Sequence, residues 1–385
     1  MKLALLAHNL RGGGGSALAR DVIANLVRLA SQHEIVVTAL KGFGYDFLRE
    51  IPNVELYEYE PGGWLERYRI EKEVAQYLND WGCDWAWWLG NMGIIFPKCR
   101  QSVYIRNAYT VNYPMKNWGV ASLRFRAKLK FANVFVRRTL KRCSRAYVQT
   151  ETMRTRLLQT YRFLKEENVG ICVAPPLFKS RSLKPSQEIV DLMRDLKVKD
   201  ESKFRALYVS MINPHKNMER VIGMFQQYRD ELKDVVLYVT ASKDSGYQAK
   251  LWNKIEAAGL TESIRFLGTF PQTDVPALFD ACDVVFFPTL LETVGHGHND
   301  ALFFERPLIA SDLDFAHEIC GDAAYFVNPF SAESMKNGIL TLKNDPDLRK
   351  GLVEKGKRRL NTEVPSFQEI ISGVLTEENI PFAPL

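Results

Sequence analysis

At 385 residues the chain is longer than one hydrophobic core usually supports, so we expect two domains. Apolar residues make up 46% of the chain and charged residues 25%, which is the composition of an ordinary soluble protein. The first apolar run, KLALLA at 2–7, is too short for a signal peptide or a membrane-spanning helix, and it predicts a buried first strand.

The net charge of +6 is unevenly distributed. Residues 85–150 contain thirteen Lys or Arg and no Asp or Glu. Subtracting these thirteen from 51 leaves 38 basic residues against 45 acidic ones, so the rest of the chain has a net charge of −7. Such a cationic segment favours a polyanionic partner, although a solvated helix face is the alternative. Since no RNA- or DNA-binding motif accompanies it, we expect an anionic lipid surface or acceptor and no nucleic acid.

Six cysteines are spread singly along the chain, without a CxxC pair or the spacing of a metal site. This pattern favours reduced thiols and a cytoplasmic protein. The six are Cys83, Cys99, Cys143, Cys172, Cys282 and Cys320.

In chain order, short apolar runs alternate with helical patterns, which predicts βαβ units and an α/β fold with parallel sheets. The first strand is followed by a loop, RGGGGS at 11–16, and by a helix at 16–29. Four consecutive glycines let the backbone curve tightly and bring amide donors close to a ligand. Further strands of the first half are predicted at 34–40, 83–90, 102–107, 145–150 and 170–176.

Residues 123–145 carry nine Lys or Arg among apolar residues at helical spacing. This pattern predicts an amphipathic helix that faces a membrane surface or an anionic acceptor. Nearby aromatic residues such as Tyr109 are able to stack on sugar rings or enter the lipid interface, and packing in the core is the alternative for each of them. We therefore expect a cytoplasmic protein that binds peripherally to the inner face of the cytoplasmic membrane.

A polar connector at 181–203 separates this half from a second α/β half at 204–360. Lys216 follows the first strand of the second half, directly before a helix for which Asn217 is the predicted N-cap. A lysine beside a helix N-terminus at the carboxyl edge of a parallel sheet is well placed to hold a phosphate. The predicted strands here are 204–210, 235–241, 264–270, 284–289, 307–311 and 323–328, with helices from 217 and at 247–258, 274–281 and 297–304.

The segment ETVGHGHNDALFFERPLIASD, at 292–312, holds the densest group of chemically active side chains. Its glycines at 295 and 297 precede a helix, so a second helix N-terminus is expected at the same sheet edge. Glu292 and Asp300 are eight residues apart and are not i,i+4 neighbours. Because carboxylates accept hydrogen bonds from pairs of hydroxyls, sugars and riboses are their natural partners.

These motifs resemble the GT-B glycosyltransferases of the retaining family 4 type. The family's E-x7-E motif, in the context GFGLPxxEAMAxGxPVIASD, aligns with 292–312 without a gap and places Glu292 and Asp300 in the two acid positions. VVFFPTLLE before it and LYVSMINPHKN upstream, where the family has GRLxxxKG, also match. The resemblance covers residues 204–360 in detail and the first half by pattern.

The resemblance implies two Rossmann-like, doubly wound parallel-sheet domains facing a central cleft, with an acceptor domain at 1–180 and a tail at 361–385 that crosses back to it. It implies transfer of a hexosyl unit from a UDP-, GDP- or other nucleotide sugar to a saccharide or lipid-linked saccharide hydroxyl, without a metal. Glu292 and Lys216 would be catalytic, with Glu292 on donor-sugar hydroxyls, Lys216 on the diphosphate and Asp300 on the ribose. The other implied donor-binding residues are Gly12, Gly13, Gly14, Ser210, Met211, Gly268, Thr293, Val294, Gly295 and His296.

Three positions depart from the family pattern. Met211 stands where the family commonly has a phosphate-binding Arg, so Lys243 or Arg106 would have to supply that charge. The second acid is Asp300 rather than Glu, and the first-domain His is not apparent in SVYIRNAYTVNY at 102–113. Arg106, Asn107 and Tyr109 occupy the comparable strand end and are the expected acceptor-binding residues.

Other interpretations of the same residues remain open. His296 and His298 form an HxH pair that Glu292 or His317 would complete as a metal site, although the glycines and the helix start already account for the segment. Glu305, where the family prefers Gly, is expected to face solvent. A non-catalytic saccharide-binding or assembly subunit, motivated by Met211, and a GT-B epimerase or phosphorylase are the alternative functions.

Overall fold

The computed structural model describes residues 1–10, 13–111, 123–173, 184–244, 246–362 and 365–383. These residues form two compact units. The first contains the described residues up to 173 together with 365–383, and the second contains 184–362. Each unit is an α/β domain built on a parallel sheet, so the predicted fold class is confirmed.

The first unit is built on a sheet of seven strands. They are β1 (Lys2–Leu6), β2 (Glu34–Leu40), β3 (Val54–Tyr59), β4 (Trp85–Trp88), β5 (Arg100–Tyr104), β6 (Arg145–Val148) and β7 (Val169–Ile171). The helices that precede the second unit are α1 (Gly13–Leu29), α2 (Trp64–Trp81), α3 (Leu123–Arg142) and α4 (Glu151–Thr160).

The second unit has a sheet of six strands. They are β8 (Phe204–Tyr208), β9 (Val235–Val239), β10 (Ile264–Phe266), β11 (Val284–Phe287), β12 (Leu308–Ser311) and β13 (Tyr325–Val327). Its helices are α5 (Gln187–Lys199), α6 (Met218–Gln227), α7 (Gly246–Ala257), α8 (Val275–Asp280), α9 (His296–Phe303), α10 (Asp314–Cys320), α11 (Ala332–Asn344) and α12 (Pro346–Thr362).

In each sheet, strands are added first on one side of the opening strand and then on the other. We call the place where the side changes the reversal point of the sheet. The first sheet runs β3-β2-β1-β4-β5-β6-β7 and the second β10-β9-β8-β11-β12-β13. The loops after β1 and β4, and those after β8 and β11, therefore diverge to opposite sides and leave a crevice at the carboxyl edge. Ligands of open parallel sheets bind in such crevices, so these two places direct the search for a site.

Burial on both faces explains why most strands could be predicted as apolar runs. The three tryptophans of β4 are at most 1% exposed, and β9 is buried throughout. The edge strand β3 was not predicted, because its sequence VELYEY is only partly buried and contains two acids.

The glycine run differs from its predicted form. The expected loop at 11–16 is replaced from Gly13 onward by helix α1. The first turn of a helix has no intrahelical partners for its N–H groups, so the weak helix propensity of glycine costs least there. Gly13 and Gly14 therefore lie in the first turn of a helix, and Gly12 lies outside the described residues.

The tail of the chain completes the first unit. Helix α13 (Phe367–Glu377) begins with a capping box formed by Ser366 and Glu369 and packs on α1. Beyond it, the Pro381 carbonyl accepts a hydrogen bond from His33 Nε2 at 2.7 Å. No helix in the described ranges is long and apolar enough to cross a membrane.

Glu378, at the end of α13, is 2% exposed and ties the tail to the sheet. Its carboxylate accepts hydrogen bonds from Ser102 Oγ at 2.5 Å and Tyr147 Oη at 3.0 Å. The guanidinium groups of Arg145 and Arg100 lie 3.8 and 3.9 Å away. One buried carboxylate thus satisfies polar groups of β5 and β6 that are more than 200 residues earlier in the chain.

We predict that Glu378→Ala lowers the free energy of unfolding of the first unit by about 2–3 kcal/mol, because it leaves the buried hydroxyls of Ser102 and Tyr147 without their acceptor. Urea denaturation followed by fluorescence of the β4 tryptophans measures this loss. Glu60→Ala is the control, since the Lys41–Glu60 pair is 68% and 72% exposed and exposed ion pairs contribute little to stability. Equal denaturation midpoints for the two variants would contradict the prediction.

Candidate functional site

An ion pair lies at the carboxyl edge of the second sheet, at the reversal point between β8 and β11. Lys216 ends a short 3-10 turn after β8, and Glu292 follows β11 by five residues. Lys216 Nζ lies 2.6 Å from Glu292 Oε1, and the two side chains are 15% and 13% exposed. The structure therefore brings together the two residues that were predicted to be catalytic, one from each of two adjacent central strands.

Hydrogen bonds fix the two loops that carry this pair. Leu290 N donates to the His215 carbonyl at 2.8 Å, and Tyr208 Oη donates to the Lys216 carbonyl at 2.6 Å. Asn217, 2% exposed, donates from its amide to the carbonyls of Pro288 at 3.0 Å and Pro329 at 2.7 Å. The charged pair therefore lies on backbone that is held in place before any ligand binds.

Asn217 does not act as the predicted side-chain cap. It is the N-cap of α6, but it adopts φ 62° and makes no side-chain capping hydrogen bond. Asparagine tolerates this left-handed conformation better than most residues. Its side-chain amide instead connects its own loop to the loops that contain Pro288 and Pro329. Sequence analysis missed this role, because a local capping motif gives no information about such distant partners.

The electrostatic environment keeps the Glu292 carboxylate ionised. Burial alone would raise the pKa of Glu292, but Lys216, His215 and His298 together hold it below its ordinary value. Burial, followed by the nearby Lys216, lowers the pKa of His215 to about 4. Burial likewise lowers the pKa of His298 to about 4. At neutral pH the Glu292 carboxylate is thus ionised, and the imidazoles of His215 and His298 are neutral.

The loop after Glu292 needs glycine at position 295. Gly295 is the N-cap of α9 and has φ 56°, a conformation that side chains of L-residues rarely adopt. A Cβ atom there would also lie 2.4 Å from His298 Nδ1. Val294 is 3% exposed and anchors the loop, while Thr293 and His296 are half-buried. The amides at the start of α9 follow directly after the Lys216–Glu292 pair along this loop.

His298 and His317, two of the four residues considered as metal ligands, are engaged elsewhere. His298 is 1% exposed and lies between the rings of Phe287 and Phe315, with centroids 5.4 and 6.3 Å away. His317 contacts Asp312 at 2.7 Å and stacks on Phe326. Across the described ranges, no group of three or more His, Cys, Asp or Glu is arranged to hold a metal ion.

Asp300, in the second turn of α9, is a buried acid with unused hydrogen-bonding capacity. It is 6% exposed, and its Oδ1 has no hydrogen-bond partner in the part of the chain that the structure describes. Burial raises the pKa of Asp300 well above its ordinary value. Buried polar atoms are normally paired, so this side chain is suited to receive hydroxyl groups of a ligand.

A cavity of about 250 Å³ opens at the carboxyl ends of β8, β9 and β10. Ser210 and Met211 line it on one side and Thr269 and Phe270 on the other. Gly268, beside it, has φ 101° and donates its N–H to the Ala241 carbonyl at 3.0 Å. The mostly apolar wall suits a flat ring such as a nucleobase.

The structure locates the residues that depart from the family pattern. Met211 is 70% exposed. Lys243 Nζ lies over the Trp252 ring, 4.0 Å from its centroid. Glu305 is half-buried rather than fully solvent-facing, and its carboxylate lies 3.1 Å from Lys357 Nζ. Its φ of 56° explains the family's glycine at this position.

The three residues expected to bind the acceptor lie together after β5 in the first unit. The Arg106 guanidinium donates to the carbonyls of Gly15 at 2.6 Å and Leu89 at 2.7 Å. Asn107 Oδ1 accepts from Tyr109 N at 3.0 Å and caps the turn that follows. Arg106 therefore connects the start of α1 to the sheet edge.

Comparison with known proteins gives concordant results. Residues 191–359 match the family described as glycosyl transferases group 1. O-antigen chain mannosyltransferase B of Escherichia coli is 24% identical over 151 residues, which is 39% of this chain and 40% of that protein's length. The match thus spans less than two thirds of that relative.

Solved structures match over almost the whole chain. The structure of Anabaena HepE in complex with UDP-glucose has a TM-score of 0.72 at 17% identity, covering 98% of this chain and 99% of that one. WaaG, a glycosyltransferase involved in lipopolysaccharide biosynthesis, has a TM-score of 0.70 at 17% identity and 99% coverage of both chains. The expected GT-B fold is confirmed, and the match of residues 191–359 to the glycosyl transferases group 1 model agrees with the expected resemblance to glycosyltransferases of the family 4 type.

Proposed function

We propose that the protein is a retaining glycosyltransferase that moves a hexosyl unit from a nucleotide-diphosphate sugar to a hydroxyl of a saccharide acceptor. The observation that carries the proposal is the Lys216–Glu292 pair at the reversal point of the second sheet. The acceptor is lipid-linked, or is part of lipopolysaccharide or another cell-surface polysaccharide. The names of the O-antigen mannosyltransferase and of WaaG support this choice of acceptor.

The donor is a UDP-, GDP- or other nucleotide sugar, as the UDP-glucose bound in the HepE structure suggests. Its base occupies the cavity beside Ser210, Met211 and Gly268, and its ribose hydroxyls meet Asp300. The diphosphate lies near Lys216 and the amides that follow Glu292. The sugar hydroxyls donate to the Glu292 carboxylate. We further propose that no metal is required, because Lys216 and the helix N-terminus supply the positive field.

In the proposed reaction the bond between the anomeric carbon and the diphosphate oxygen breaks. A new bond forms from the acceptor hydroxyl oxygen to the same carbon, and the hydroxyl proton passes to the departing diphosphate. Negative charge grows on the diphosphate as its bond breaks, so a fixed ammonium group stabilises the transition state more than the ground state. Lys216 is the described residue that supplies this charge.

The acceptor side of the proposal includes contact with a membrane. Helix α3 exposes a row of cations that includes Lys130 and Arg137, and its apolar Phe131 and Val134 are 62% and 63% exposed. Apolar side chains among basic ones favour peripheral binding to an anionic lipid surface. We therefore place the protein in the cytoplasm, on the inner face of the cytoplasmic membrane.

We expect calorimetry to detect binding of UDP, GDP or ADP, with Lys216→Ala weakening it about tenfold or more through loss of a charge-assisted contact. Mass spectrometry with a nucleotide-sugar panel should show a product that Lys216→Ala and Glu292→Ala each abolish. Nuclear magnetic resonance of that product reports whether the anomeric configuration is retained.

Two variants control for folding. The double variant Lys216→Ala with Glu292→Ala removes both charges and so avoids an uncompensated buried ion. Lys254→Ala removes a lysine that is 54% exposed and paired with Glu219, and it should leave product formation unchanged. Absence of binding for all three nucleotides would refute the transferase and favour the non-catalytic saccharide-binding subunit that Met211 suggested.

Asp300→Asn should stabilise the ligand-free protein and weaken nucleotide binding. The folded-state pKa of Asp300 lies above its unfolded value, so wild-type stability falls as pH rises above that unfolded value. Asn does not ionise, so the variant does not lose stability in this way. The gain in free energy of unfolding from Asp300→Asn should therefore be larger at about pH 7.5 than at about pH 4. The variant should bind the nucleotide about tenfold more weakly, because one ribose acceptor is lost.

Thermal unfolding at both pH values and calorimetry with the bound nucleotide measure these effects. Asp283→Asn is the control, because Asp283 is paired with Arg205 at 2.8 Å and its replacement should destabilise the protein. A pH-independent effect of Asp300→Asn, or unchanged affinity, would contradict the role proposed for this acid.

Sedimentation with vesicles tests the membrane surface. The protein should bind phosphatidylglycerol-containing vesicles, and raising the salt from about 0.05 to 0.5 M should release it. Lys130→Glu with Arg137→Glu should abolish binding, whereas the exposed pair Lys233→Glu with Lys350→Glu changes the net charge equally and should not. Binding that does not depend on salt, or that both double variants lose alike, would remove this part of the proposal.

A further inference from the structure

A second cavity lies wholly within the first unit. It is found at the reversal point of the first sheet, between β1 and β4. Its volume is about 350 Å³, within the range of about 300–1,000 Å³ typical of small-molecule sites. His8 and Asn9, which follow β1, line it together with Met92 from the loop after β4. Trp64 and Arg67 of α2 form the opposite wall. The cavity thus occupies the place where open parallel sheets bind ligands.

His8 is a neutral hydrogen-bonding group in this cavity. It is 3% exposed, and burial, followed by the nearby Arg67, lowers its pKa to about 3. Its Nδ1 bonds Thr38 Oγ1 at 2.7 Å, and rings of Tyr59 and Trp88 hold it edge-on. Its Nε2 has no hydrogen-bond partner among the described residues. Either tautomer suits a hydroxyl, because a hydroxyl both donates and accepts.

Asn9 adds an acceptor held at a fixed position. Its amide nitrogen donates to the carbonyls of Gly90 and Met92, both at 2.9 Å. Its Oδ1 is buried and, within the described ranges, without a partner. Gly90 is required for this placement, since a Cβ there would lie 1.8 Å from Asn9 Oδ1. Two neutral polar atoms are therefore buried and unpaired at the end of the same strand.

Among the described residues, Arg67 is the only charged side chain that lines the cavity, and the Glu71 carboxylate balances its charge. Arg67 Nε donates to Glu71 Oε1 at 2.7 Å, and Arg67 Nη2 donates to the Met92 carbonyl at 2.7 Å. Glu71 is fully buried and also accepts from the amides of Ile94 and Ile95. The local charge of the wall is therefore close to zero. An anionic group would have to compete with Glu71 for the guanidinium, whereas a hydroxyl needs only a remaining N–H.

Trp64 supplies an apolar face at the rim. It is 44% exposed, with its ring 5.0 Å from that of Phe135 and 5.9 Å from the Arg67 guanidinium carbon. The indole is thus supported by two neighbours but remains accessible. A half-exposed aromatic ring beside neutral hydrogen-bonding groups suits the C–H face and hydroxyl edge of a pyranose.

We propose that this cavity binds an uncharged hexosyl residue of a saccharide, with Trp64 under the ring and His8, Asn9 and Arg67 on its hydroxyls. The inference deepens the proposed function, since this residue would belong to the acceptor. It also moves the expected acceptor contacts away from Arg106, whose guanidinium donates to backbone carbonyls. The preference for a neutral over an acidic sugar follows from the Arg67–Glu71 pair.

Saturation-transfer difference NMR spectroscopy, which detects binding of small sugars, tests the inference on the full chain without nucleotide. The neutral probes are methyl α-D-mannopyranoside and methyl α-D-glucopyranoside, and the acidic probes are D-glucuronate and D-glucose 6-phosphate, each at about 10 mM. At least one neutral glycoside should give signals, and the acidic sugars should bind about tenfold more weakly or not at all. Preference for the acidic probes, or no binding of either neutral glycoside, overturns the inference.

Variants locate the binding. Trp64→Ala should weaken the neutral glycoside about tenfold and Trp64→Phe should restore it, while Tyr68→Ala, at a position 46% exposed on the same helix, should have no effect. His8→Ala should also lose binding, but the exposed Trp64 gives a test that does not depend on a buried replacement. Signals that survive Trp64→Ala and vanish with Glu292→Ala would assign the sugar to the second unit and refute the inference.

The outcome is separable from that of the proposed function. Glycoside binding without nucleotide binding would support sugar binding in the cavity and refute the proposed transferase function. Nucleotide binding without glycoside binding would sustain the transferase and refute the cavity.

Discussion

The second unit is organised around a buried ion pair, Lys216 with Glu292. Removing two charges from water is costly, and the attraction between them offsets that cost only when geometry and surrounding hydrogen bonds are good. Here the geometry is supplied by backbone bonds between the β8 and β11 loops and by the Asn217 amide. The pair thus depends on its scaffold, and without a ligand each charge satisfies the other. In the proposed donor complex the lysine would gain phosphate oxygens and the carboxylate would gain hydroxyls, so neither charge would be left unpaired.

Both units use the same topological device with different chemistry. In each, neighbouring central strands send their loops to opposite sides, and polar side chains collect where the loops part. In the second unit these side chains are charged, as expected for a site that receives a diphosphate. In the first unit, His8 and Asn9, which line the cavity between β1 and β4, carry unpaired buried atoms that are neutral. This difference in charge, rather than in fold, is the basis on which we propose different ligands for the two crevices.

Much of this architecture could be predicted from the sequence. The central strands are buried on both faces and read as continuous apolar runs, and the 292–312 motif located the acids and the helix start. Features that depend on distant contacts could not be predicted. Asn217 was predicted to be a helix cap from its neighbours in the sequence. Its actual hydrogen bonds, to Pro288 and Pro329, join residues 71 and 112 positions apart and leave no local sequence pattern. The cavity around His8 was missed for the same reason, since its walls come from four separate segments.

The order of the chain has a consequence for biogenesis. The first unit is discontinuous, because residues 184–362 form the second unit before α13 returns to the first. During synthesis, Ser102, Tyr147 and Arg145 must therefore wait for the ribosome to add more than 200 residues before Glu378 reaches them. The described residues of the second unit follow one another in the chain from 184 to 362, so none of them depends on the returning tail. Until the tail emerges, the hydroxyls of Ser102 and Tyr147 lack this acceptor, and a message truncated before residue 378 yields a first unit that lacks its buried acid.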